Sequence, residues 1–159
     1  MAVEDIFNGA KNGYLMLHAY TNTVAQAIGI EQALALATKM SETMGAEEGK
    51  MYKEQAGIED FDAKAAYEGL NTSIEGVGIL SEVIEESPQK IIFKVGRCPI
   101  YEAAQALRMD TKAIEANCRA SSIRYMEAMA KQLNPNLSYQ LTKFRSAADD
   151  YCEEAIVLA

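Results

Sequence analysis

The sequence predicts an α+β fold, with N-terminal helices followed by a four-stranded antiparallel sheet of two hairpins separated by two helices. Three observations carry this. Apolar residues recur at helical spacing up to Gly76, the pattern changes after Gly76-Val77-Gly78, and two later segments alternate in the manner of strands flanking a turn. No repeat, low-complexity tract or linker interrupts the 159 residues, so the expectation is a single domain over 1–159.

The first helix is expected over about Ala10–Ile28, with Tyr14, Leu17, Val24, Ala25 and Ile28 facing inward and His18 and Thr21 on the same stripe. Gly29 permits a break. A second inward stripe follows at Ala33, Ala37, Met40, Met44 and Met51, whose methionines read as core filler, while Gly45 and Gly49 weaken that helix. Asp62 is placed to cap a third helix carrying Ala66, Leu70 and Ile74. The segments Ile79–Glu85 and Lys90–Arg97 then flank Ser87-Pro88-Gln89 as a hairpin. Pro99 suits the first position of a short helix. Asp110 or Thr111 caps another helix that runs to Leu133, where Asn134-Pro135 stops it. Leu137–Arg145 and Tyr151–Leu158 close the chain as a second hairpin.

Composition narrows the function classes. Hydrophobic residues make up 49% and charged residues 24%, an ordinary globular balance. The formal net charge of −8 repels phosphate backbones and anionic lipid, so neither nucleic acid nor membrane is expected as a partner. The start lacks a basic, then apolar, secretory pattern, and the uncharged run Asn12–Ile30 contains too many polar groups for a bilayer core. Three cysteines without close pairing suit a reducing cytoplasm. The expected partner is a small-molecule ligand or substrate, with a homodimer left open.

Cys98 stands where a strand ends and a helix begins, so it is placed as the N-cap before Pro99. Free amides at a helix start stabilise a thiolate, although a buried strand-end thiol fits the same spacing. Cys118 and Cys152 share the inward phase of their helix and strand. The cysteine spacings match no zinc pattern, so neither metal nor cofactor is expected. His18 is the sole histidine, so any imidazole chemistry must use it, although its place on the apolar stripe fits a buried histidine satisfied by a hydrogen bond. Arg119 and Arg124 flank the small residues Ser121 and Ser122, which leaves either room for an anionic group between two guanidinium forks or close helix packing beside two solvated arginines. No Gly-rich phosphate loop, paired-histidine motif or serine elbow is present.

The segment Arg97-Cys98-Pro99 leading into an Ala-rich helix, the helical Cys118, and the late turn Ala148-Asp149-Asp150-Tyr151-Cys152 resemble the L-2-amino-thiazoline-4-carboxylic acid hydrolase family. The resemblance covers roughly residues 90–158. Its ending also resembles the vinyl-reductase-type small-ligand-binding domains. Ala148 replaces an expected glycine, and Glu154 an expected aromatic residue. The first resemblance implies hydrolytic opening of a cyclic amino-thiazoline carboxylate to N-carbamoyl-cysteine. Cys98, His18 and Asp149 would then be the catalytic candidates, and Arg119, Arg124, Ser121 and Ser122 would hold substrate. The second implies a non-catalytic binding or sensor domain.

Overall fold

The structure, a computed structural model, describes residues 2–159. Two long helices, α1 (Val3–Ile28) and α2 (Ile30–Ala56), lie in sequence with only Gly29 between them. Gly29 has φ 90°, a conformation that costs glycine little and other residues more, so the chain can reverse there without a loop. Helix α3 (Ala63–Gly76) follows, capped as expected by Asp62, whose carboxylate accepts from the Ala65 amide at 2.8 Å.

The inward stripe expected on α2 is corrected. Met40, Met44 and Met51 are 43%, 57% and 53% exposed, and the buried residues are Ala33, Ser41, Gly45 and Gly49. The reason is close helix packing. A side chain at Gly45 would overlap the backbone carbonyl of Tyr125, and one at Gly49 would lie 2.6 Å from the Met129 carbonyl oxygen. The two glycines therefore do not fray α2; they let it approach a later helix almost backbone to backbone.

Strands β1 (Ser81–Glu86) and β2 (Lys90–Val95) form the first hairpin. Helix α4 (Pro99–Ala106) begins at Pro99 with Cys98 as N-cap. The single helix expected over 111–133 is instead two, α5 (Thr111–Ala120) and α6 (Ser122–Leu133). The break falls at Ser121, whose φ −116° and ψ −80° leave the helical region while its hydroxyl bonds the Asn117 carbonyl at 2.6 Å. Strands β3 (Leu137–Lys143) and β4 (Cys152–Leu158) complete one antiparallel sheet in the order β1-β2-β4-β3. One face of the sheet, with Phe93, Leu137, Tyr139 and Ile156, packs on Phe61 and Leu70 on the α3 side and on Met129 and Leu133 of α6. No helix among the described residues is long and apolar enough to cross a membrane.

Candidate functional site

A cavity of about 580 Å³ opens where the helices meet the inner face of the sheet. Its walls are largely apolar, with Leu17, Ile74, Val95, Ile114, Met126 and Phe144 among them. The kink at Ser121 helps to shape it, because α5 and α6 diverge there and both Ser121 and Ser122 face the space.

All three cysteines line this one cavity, reaching it from the N-cap of α4, the last turn of α5 and the first residue of β4. Among the described residues no three His, Cys, Asp or Glu side chains gather closely enough to hold a metal ion. At Cys98 burial opposes the thiolate that the helix start favours. Burial pushes its thiol up to about 11, and this outweighs the lowering by the Tyr101 and Ile100 amides and the Arg145 charge. Burial also raises Cys118 well above the usual thiol range, with the Glu154 charge adding to it.

The sheet side of the cavity holds a polar cluster that spacing alone did not single out. Arg145, expected at the end of a strand, instead lies past β3 and is 1% exposed. Its Nη2 donates to the Val95 carbonyl at 3.0 Å and to the Gly96 carbonyl, and its Nε to Cys152 Sγ at 3.4 Å. Glu154, on β4, accepts a hydrogen bond from the Tyr139 hydroxyl. Burial raises the Glu154 carboxyl to about 7, against the opposing pull of that hydrogen bond and of Arg145. The same burial and the Glu154 charge hold Tyr139 well above the usual phenol range, so it stays a donor. Glu154 was legible in principle, because it shares the inward phase of Cys152 and Ile156 on β4.

The remaining candidates are elsewhere. His18 is buried, and its Nε2 lies 3.2 Å from the Ile100 carbonyl, which can only accept, so that nitrogen carries the hydrogen. His18 does not line this cavity but an adjoining space of about 20 Å³ with Thr21 and Asn117, of single-water size. Burial lowers its pKa against the raising effect of the Ile100 bond. Arg119 is exposed and paired with Glu115 at 2.8 Å, and Arg124 is exposed and 4.0 Å from Glu42. Neither guanidinium lines the cavity, because both turn outward to acidic partners in water. Asp149 is exposed on the β3–β4 turn; the neighbouring Asp150 organises that turn by accepting from Lys143 at 2.7 Å and the Ser146 amide at 2.9 Å.

The family model described as L-2-amino-thiazoline-4-carboxylic acid hydrolase matches residues 10–154. No curated protein matches the chain. Several solved structures share its fold, and two of them are instructive. One is the phenol-responsive sensory domain of the transcription activator PoxR with phenol, at TM-score 0.64 and 13% identity, covering 91% of this chain and 74% of that one. The other is trafficking protein particle complex subunit 3 from Naegleria fowleri covalently bound to palmitic acid, at TM-score 0.56 and 16% identity, covering 93% and 95%.

Proposed function

The chain belongs to the L-2-amino-thiazoline-4-carboxylic acid hydrolase family, and from that premise we propose that it binds a small, largely apolar organic molecule in the central cavity. The observation that carries this reading is the cavity itself. Its volume of about 580 Å³ lies within the roughly 300–1,000 Å³ usual for small-molecule sites. A cavity on the order of 150 Å³ accommodates benzene. The amino-thiazoline carboxylate, a five-membered ring with two substituents, is therefore small for this space. The polar head of the occupant meets Arg145, Glu154 and Cys98, and its apolar body lies against the helices. The two fold neighbours support the same reading, since one is a sensory domain with phenol and the other is covalently bound to palmitic acid.

Hydrolysis is the second reading, and family membership favours it. Water would add to the ring carbon between nitrogen and sulfur, the carbon–sulfur bond would break, and the departing sulfur would take up a proton. Glu154 suits the proton transfers, because a carboxyl raised to about 7 both accepts and releases protons near neutrality. Arg145 suits the substrate carboxylate better than the outward-facing Arg119 and Arg124. A nucleophilic Cys98 would first have to lose a proton that burial holds in place.

Calorimetric titration with phenol, palmitate and the amino-thiazoline carboxylate tests binding, and mass spectrometry of the last mixture tests for addition of water. At least one of the three should bind wild type, and Ser122→Trp, which fills the cavity, should weaken that binding at least about tenfold with the fold retained by circular dichroism. Binding unaffected by the tryptophan would overturn the cavity as the site. Turnover lost in Glu154→Gln but kept in Cys98→Ser would favour the carboxyl over the thiol; the reverse pattern would contradict that assignment.

A further inference from the structure

The helical side of the cavity carries a second polar feature, centred on Glu48 of α2. Ser73 of α3 donates to Glu48 Oε1, and Tyr125 of α6 donates to Oε2. Burial, reinforced by the Glu48 charge, holds the Tyr125 pKa above the ordinary phenol value, so Tyr125 keeps its proton and Glu48 remains the acceptor. Among the described residues no lysine or arginine stands within ion-pair distance of Glu48. A carboxylate offers about four acceptor positions, and two hydrogen bonds leave about half of them unused.

A carboxylate oriented by two helices and left without a counter-charge at a cavity wall is suited to a ligand that brings its own. We propose that Glu48 is a recognition subsite for a cationic nitrogen group, an ammonium or amidinium, on the cavity's occupant. This inference rests on the cavity-binding reading and deepens it by giving the ligand a second polar end. Arg145 meets one end from the sheet, and Glu48 meets the nitrogen end from the helices. The close approach of α2 to α6 at Gly45 and Gly49 explains how Tyr125 reaches Glu48 at all.

Three matched probes test it by calorimetry: phenylbutylamine, phenylbutanol and phenylbutyrate, which share an apolar body and differ in the charge of the head. Wild type should bind the amine at least about tenfold more tightly than the alcohol, the size expected for one charge-assisted hydrogen bond. Glu48→Gln keeps the shape and removes the charge, so it should abolish the amine's advantage over the alcohol. Tyr125→Phe removes a donor from Glu48 and leaves its charge, so the amine preference should survive. A purely structural tie among α2, α3 and α6 predicts otherwise: Glu48→Gln would lower the melting temperature and leave the amine-to-alcohol ratio alone. That result, or equal amine and alcohol binding in wild type, overturns the subsite and leaves the cavity reading standing. Failure of all three probes to bind overturns both.

Discussion

A carboxyl group taken out of water must lose its charge or gain partners, and Glu154 does some of each. Its pKa of about 7 in the fold exceeds the ordinary 4.5, which fixes the sign of its effect on stability. Below pH 4.5 the folded and unfolded chains both hold the proton. As pH rises from 4.5 through 7, the unfolded chain releases the proton while the folded chain keeps it, so stability falls and the loss is complete above the folded value. The loss is on the order of 3 kcal/mol, and Glu154→Gln should remove most of it. Urea melts at a series of pH values check this; an unchanged slope in the variant would deny the burial cost. In the sequence Glu154 stands out only as a departure from the resembled pattern, although strand alternation places it on the inner face with Cys152 and Ile156. The reverse holds for Cys98. Its place at the N-cap of α4 was legible, but its protonation depends on burial by segments distant in sequence, which spacing does not reveal.

At the scale of elements, the packing of α2 on α6 shows where periodicity misleads. The methionine stripe of α2 has helical spacing, yet close approach buries the small residues Ser41, Gly45 and Gly49 and leaves Met40, Met44 and Met51 on the outer side or the cavity rim. Gly45→Ala should therefore destabilise by roughly 2 kcal/mol or more, since α2 and α6 must separate to admit a methyl group. Gly9→Ala on α1 meets nothing within 4 Å and should be neutral or stabilising by up to about 1 kcal/mol. Thermal melts of the pair separate packing from propensity, and equal effects would contradict the close approach. The break at Ser121 was equally hidden, because the apolar pattern of residues 111–133 continues across it. Caps and hairpins fared better: Asp62, Asp110 and Pro99 act where local chemistry assigns them.

At the scale of the molecule, the cavity joins residues from both halves of the chain. Leu17 and Glu48 come from the N-terminal helices, while Tyr139, Arg145 and Glu154 come from the C-terminal hairpin. The order of elements was readable, and so was the shift from helical to strand periodicity. The cavity was not, because it exists only once α2 seats on α6 and β4 pairs between β2 and β3. The methionines give the most direct test that this space is the binding site. Met40, Met44 and Met126 line it, whereas Met16 and Met51 are exposed elsewhere at 72% and 53%. With methyl-labelled methionine, the carbon–proton spectrum of the full chain can be followed while phenylbutanol is added. Saturable shifts are expected at Met40, Met44 and Met126 and none at Met16 or Met51; shifts at the exposed pair with the other three unmoved would contradict the cavity as the binding site.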